Sequence, residues 1–249
     1  MYTPLAFPDL LRLIDERSAA FRAVVDSAPD LGVRVPSCPD WNLAELAHHI
    51  GEGRRRWALT VAAGPADGPA QVTAELPEGR AAVSEWLAES SRLLVDALRE
   101  AGPEQECWTW WGDSQSPRNV GAVARHQLQQ MAVHTYDAQL AVGRAEPLGA
   151  EIAVDGVDEF LTTCCATSSP WPHAPADVEF RVREGGVWRL ALSGEGARVV
   201  GVGGTAATMT VTGSASQVVL GLYGRVGVGE LEVGGESAVF GLMAEWEPE

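Results

Sequence analysis

Apolar residues recur every three to four positions through the first 145 residues, which is the spacing of one face of an α-helix. This periodicity predicts four helices, over residues 7–27, 42–63, 78–101 and 119–142. Asn42 followed by Glu45 fits a capping box at the start of the second helix, directly after a turn at residues 36–40. Such helices and connections favour an up-and-down four-helix bundle, with no strand before residue 120.

The pattern changes after Pro147. Alternating and β-branched apolar residues predict strands at 178–182, 187–192, 198–201, 208–211 and 231–233. Helices are predicted at 152–165, 214–223 and 237–246, and Gly185-Gly186 predicts a hairpin turn. We therefore expect an α+β protein of two domains, a four-helix bundle over residues 1–146 and a small mixed α+β domain over residues 147–249.

Charge and composition narrow the possible partners. A formal net charge of −16 disfavours binding to nucleic acid or to anionic membranes. No apolar run approaches the roughly 20 residues of a membrane-spanning helix, and the N-terminus does not resemble a signal peptide. We therefore expect a cytoplasmic monomer or homodimer that acts on a small molecule. The four cysteines are too few for a disulfide framework, and we expect Cys38 and Cys107 to be small buried apolar groups.

Four of the five histidines lie in two of the predicted helices. Gln130 and His134 share a helix face about 6 Å apart along the axis, close enough to bind one metal ion, whereas His126 is about 12 Å from His134. On the second helix, His49 faces inwards and His48 points roughly 100° away. This geometry predicts a cluster of His49, Gln130 and His134, with His48 and His126 at the surface or behind the ligands. The alternative is that these histidines are core or capping residues.

These segments resemble the mycothiol-dependent maleylpyruvate isomerase-like family, part of the DinB-like superfamily of metal-binding four-helix bundles. The first motif is Cys38-Pro39-Asp40-Trp41 leading to His48-His49-Ile50, and the second is Arg125, Gln130, His134 and Asp137. The C-terminal half is similar to the family's companion domain at residues 211–215 and 222–225. The order and spacing of these motifs extend the resemblance over nearly the whole chain.

The resemblance implies a divalent metal, usually zinc, held by His49, Gln130 and His134, which activates the thiol of the cosubstrate mycothiol. A metal-coordinated thiol is deprotonated at neutral pH, and three protein ligands with one open position suit catalytic zinc. Gln130 departs from the family, which has Glu at this position. A neutral amide oxygen offers no charge to offset a dication, so we expect weaker metal binding.

Two further residues are candidates for catalysis. Asp137 lies three residues after His134, where a carboxylate can orient the imidazole; the alternative is that it pairs with Arg144 or with solvent. Arg225 follows Gly224 at a predicted helix end and is a candidate for binding a substrate carboxylate. The alternative is that Arg225 is a helix C-terminal cation that satisfies backbone carbonyls.

Candidate cofactor-binding residues come from two other segments. Arg54, within the run Arg54–Arg56, could attract an anionic thiol, although such a run more often marks a solvated helix face. Trp110 and Trp111, close to Trp108, could form the wall or lid of a pocket, although core packing also explains them.

These features predict a mycothiol-dependent, metal-assisted transferase or isomerase acting on a small electrophilic substrate. One alternative is a thiol-independent tailoring enzyme of bacterial secondary metabolism that uses the same bundle pocket. Another is a non-catalytic small-molecule-binding protein whose metal site decayed with Gln130.

Overall fold

The computed structural model describes residues 3–204 and 206–246. Two compact units divide the chain. The first, a helical unit, consists of residues 5–110 and 117–146. The second, an α+β unit, contains residues 111–116 and the chain from Pro147 onwards, together with residues 3 and 4. The short segment Trp111–Ser116 thus belongs to the α+β unit although it lies between two helices of the bundle.

Four long helices build the helical unit, as the periodicity predicted. They are α1 (Phe7–Ser27), α2 (Leu43–Ala63), α3 (Arg80–Ala101) and α4 (Val120–Ala141). Asn42 and Glu45 form a capping box at the start of α2, and the Asn119 side chain caps α4. Helix α2 packs mainly on α3, whereas α1 packs on both α3 and α4. The core between them contains large buried side chains such as Phe21, Leu43, Leu46 and Leu87.

The expectation of no strand before residue 120 is wrong. Strands β1 (Arg34–Val35) and β2 (Cys38–Asn42) form a small antiparallel hairpin where only a turn was expected. The physical reason is local, because a residue that precedes proline is driven towards extended backbone. Val35 precedes Pro36 and Cys38 precedes Pro39, so two prolines favour strand geometry on either side of the turn.

A five-stranded sheet forms the centre of the α+β unit. Its strands are β3 (Ala176–Val182), β4 (Val187–Ser193), β5 (Gly196–Val200), β6 (Met209–Gly213) and β7 (Glu232–Gly235). They lie in the order β5-β4-β3-β6-β7, and all neighbours are antiparallel except β3 and β6. Gly185 and Gly186 adopt positive φ between β3 and β4, which confirms the predicted hairpin turn.

The described part of this unit also contains three α-helices, α5 (Ala150–Glu159), α6 (Ala215–Leu222) and α7 (Ala238–Glu245), and a short 3₁₀ helix, Val228–Glu230. Ser214 and Gln217 form a capping box for α6. Helix α5 runs directly into a π-helical segment, Phe160–Cys165, so the predicted helix over 152–165 changes its winding at its end. None of the helices in the described residues is both long and apolar enough to cross a membrane.

Candidate functional site

A buried carboxylate anchors one histidine of the helical unit. Helix α4 places His134 and Asp137 one turn apart, and His134 Nδ1 lies 2.9 Å from Asp137 Oδ2. Asp137 is 0% exposed, so the expected alternative of a solvent-facing carboxylate is wrong. An ionised carboxylate only accepts hydrogen bonds, so beside it Nδ1 of His134 is the donor. The arrangement is the one by which carboxylates orient metal-binding histidines.

The hairpin β1–β2 provides further partners for the same carboxylate. Ser37 Oγ donates to Asp137 Oδ1 at 2.6 Å, and Cys38 Sγ lies 3.8 Å from Asp137 Oδ2. Neither contact was predicted from the sequence, which led us to expect that Cys38 is a small buried apolar group. Only the position of Cys38 in the first motif hinted at a role, because the partners are a hundred residues apart in the chain.

The second histidine approaches from α2. The ring centroid of His49 lies 5.3 Å from that of His134, and the two rings meet edge to face. Trp41 packs against His49 with centroids 4.7 Å apart. Burial, with a smaller contribution from the charge of His134, lowers the pKa of His49 to about 4. At neutral pH His49 is therefore an uncharged imidazole that can donate a lone pair.

The third expected ligand, Gln130, is an amide rather than an imidazole. Gln130 is half-buried, and its Oε1, the atom that would bind a metal, accepts a hydrogen bond from Gln127 Nε2 at 3.3 Å. Within the helical unit, the described His, Cys, Asp and Glu side chains form no group of three with ligand atoms inside 4.8 Å of one another. Two neighbouring imidazoles can bind a divalent ion, but an anionic third donor is not among these side chains, and an amide takes its place.

His48 and His126, expected at the surface or behind the ligands, are both partly or fully enclosed. His126 is only 9% exposed, and its ring meets Trp110 edge to face with centroids 5.5 Å apart. His48 is half-buried, and its Nε2 lies 2.6 Å from the carbonyl oxygen of Ala74. A surface position is therefore wrong for His126.

Arg54 lies inside the bundle. It is 3% exposed, and its Nη1 donates to Ser18 Oγ at 2.7 Å and to Ser91 Oγ at 2.6 Å. Burial lowers the pKa of Arg54 to about 9, and its Nη2 is buried without a hydrogen-bond partner. The solvated-face interpretation is thus wrong for Arg54, and its contacts are those of a packing residue between α1, α2 and α3.

The remaining candidates are divided between the two units. Trp110, in the helical unit, is 49% exposed, whereas Trp111 belongs to the α+β unit and is 2% exposed. Arg225, also in the α+β unit, follows α6 and donates through Nη1 to the carbonyl oxygen of Tyr223 at 2.7 Å. That contact is the carbonyl-satisfying role considered as its alternative. That Arg225, Trp110 or Trp111 binds a substrate or cofactor remains a prediction.

The fold and the site define a class: a two-unit protein whose helical bundle carries a pair of half-buried imidazoles, one of them anchored by a carboxylate. The chain belongs to the mycothiol maleylpyruvate isomerase family. The model of that family's N-terminal domain matches residues 11–139, and the model of its C-terminal domain matches residues 151–242.

Solved structures agree with this fold. The chain is similar to a crystal structure of the mycothiol-dependent maleylpyruvate isomerase, with a TM-score of 0.61 and 14% sequence identity. A histidine-to-alanine variant of that enzyme gives a TM-score of 0.60 at the same identity. Each comparison covers 94% of this chain and 97% of the other. No curated protein matches the sequence significantly.

Proposed function

We propose that this protein is a mycothiol-dependent isomerase or transferase that acts on a small electrophilic substrate at the His49–His134 pair. The observation that supports the proposal most directly is the anchoring of His134 by Asp137, since it fixes this imidazole next to that of His49. Membership of the mycothiol maleylpyruvate isomerase family supports mycothiol as the cosubstrate.

The residues of the chain would act mainly by holding the rings of His49 and His134 in place. Asp137 fixes the ring of His134, and the hairpin serine Ser37 fixes Asp137 in turn. His49 is uncharged at neutral pH because partial burial lowers its pKa, and Trp41 packs against its ring. His49, His134 and Gln130 would together hold a divalent ion, with zinc the best match to two imidazoles.

A bound divalent ion would supply positive charge that lowers the pKa of the mycothiol thiol and so raises its thiolate fraction at neutral pH. The thiolate sulfur then forms a bond to the electrophilic carbon of the substrate. In an isomerase, the attacked carbon–carbon double bond becomes a single bond as its electron pair moves onto the conjugated carbonyl oxygen. After rotation about that single bond, the electron pair returns, the double bond re-forms, and the carbon–sulfur bond breaks to release the thiolate. In a transferase, a leaving group departs with the electron pair and the sulfur adduct is the product.

One observation favours a second candidate, a small-molecule-binding protein without catalysis. Gln130 is a neutral donor, and its oxygen already accepts a hydrogen bond from Gln127. A site with two imidazoles and an engaged amide binds a dication less strongly than one with a carboxylate.

Turnover and metal content measured on the same preparations test the proposal. Purified protein is assayed against a panel of electrophiles, including maleylpyruvate, with and without mycothiol, and its metal content is determined without prior exposure to chelators. We expect activity that requires mycothiol, and its loss together with the metal in His134→Ala. Asp137→Asn should lower metal affinity about 10- to 100-fold.

His173→Ala provides a matched control, because His173 is an exposed histidine of the α+β unit. It should leave turnover and metal content unchanged. Full activity without any thiol would reject the cosubstrate and favour the tailoring-enzyme alternative. Small-molecule binding with neither metal nor turnover would favour the binding protein.

A further inference from the structure

A partly enclosed cavity of about 240 Å³ lies within the α+β unit and involves no residue of the helical unit. Leu190 and Leu192 of β4 line it, two residues apart and therefore on one face of the sheet. Phe160 of the π-helical segment and Phe240 and Met243 of α7 also line it. Gly221 and Leu222 of α6 complete the lining, so the cavity lies against four elements of the same unit.

The local structure explains why these side chains leave a space. In α7, Val239 is buried, whereas Phe240, Leu242 and Met243 are only half-buried, although all of them are apolar. The π-helical segment Phe160–Cys165 winds more widely than an α-helix. At its end, the amide of Ala166 donates to the carbonyl of Leu161, five residues back. Such π-helical turns occur frequently at functional sites.

The chemistry of the wall is apolar. None of the described residues that line the cavity is charged. Burial and the nearby carboxylate of Glu159 raise the pKa of Cys164 well above its ordinary value and that of Cys165 to about 12. Both therefore remain neutral thiols, which behave as small apolar groups. A buried water needs two to four polar partners, and this wall offers few.

The size is unusual for a packed core. Protein interiors have few voids larger than a water molecule, and an engineered apolar cavity of about 150 Å³ is large enough to bind benzene. Met243 adds an unbranched, adaptable side chain of the kind found at binding surfaces for varied apolar ligands. We propose that this cavity is a binding site for an uncharged apolar small molecule, about the size of two fused aromatic rings.

Titration with N-phenyl-1-naphthylamine, an uncharged dye that becomes fluorescent in apolar surroundings, tests the site. We expect one saturable site per chain. Met243→Trp and Ala244→Phe place larger side chains at lining positions of α7 and should each weaken binding at least tenfold. Val228→Trp is the control, because Val228 is a 45% exposed residue of the same unit that does not line the cavity.

Circular dichroism shows whether each variant folds. If one filling variant does not fold, the other decides. Unsaturable binding to the wild type, or unchanged affinity in a folded filling variant, would overturn the proposal. An equal loss of affinity in Val228→Trp would also overturn it, because the effect would then not depend on the cavity.

Discussion

Substituting Gly51 by alanine should destabilise the bundle, against the usual trend for a helical glycine. A Cβ atom at Gly51 would lie 1.9 Å from Cζ3 and 2.2 Å from Cη2 of Trp86 on the facing helix α3. Displacing the indole would disturb two of its contacts. It stacks on His48 with centroids 6.2 Å apart, and the guanidinium of Arg55 lies 5.4 Å from its centre.

The size of the effect follows from opposing contributions. Alanine in place of glycine within a helix normally stabilises by about 1 kcal/mol. Overpacking typically costs about 1–3 kcal/mol, and displacing Trp86 from His48 and Arg55 costs about 1 kcal/mol more. The helical gain and the displacement of Trp86 roughly cancel, so the cost of overpacking remains. We therefore expect Gly51→Ala to lower the free energy of unfolding by about 1–3 kcal/mol.

Gly53→Ala on the same helix is the matched control. A Cβ atom there meets nothing within 4 Å, so this substitution should stabilise by about 0.5–1 kcal/mol. Urea unfolding followed by circular dichroism at the helical band measures both variants. In a Trp86→Leu background, the cost of Gly51→Ala should fall by more than about 1 kcal/mol. A Gly51→Ala protein as stable as Gly53→Ala would refute the argument.

Two other substitutions test the interpretation of buried polar groups. Gln130→Glu should tighten zinc binding at least about tenfold, because the attraction between a carboxylate and a dication is favourable at any dielectric constant. Isothermal titration calorimetry with zinc measures both affinities. Equal affinities would show that residue 130 is not a ligand. Arg54→Met should stabilise the protein by about 1–4 kcal/mol at pH 7, because it removes a buried charge that donates hydrogen bonds to two serine hydroxyls and to no carboxylate among the described residues. Both serines keep an acceptor, since Ser18 Oγ donates to Ile14 O and Ser91 Oγ to Leu87 O. A lower free energy of unfolding for Arg54→Met would contradict this account.

Features set by neighbouring residues were predictable from the sequence. The 3.6-residue spacing of apolar side chains predicted α1 from Phe7 to Ser27, and the pair Asn42 and Glu45 predicted where α2 begins. The alternation around Gly185-Gly186 likewise predicted the β3–β4 hairpin. Periodicity, capping and turn geometry depend on residues within a few positions, so a single chain carries enough information to locate them.

The partners of buried polar side chains depended on tertiary packing. Arg54 belongs to a run of three arginines, and only the packing of α1 and α3 against α2 decided that it is buried while Arg55 and Arg56 reach Glu89 and Glu52. Helical spacing placed His134 and Asp137 on one face, but the contact of Ser37 with Asp137 joins residues a hundred positions apart. A hydrogen bond of this kind has a range of about 3 Å, and no sequence spacing encodes it, because the positions of the hairpin and α4 are fixed only when the core between them packs.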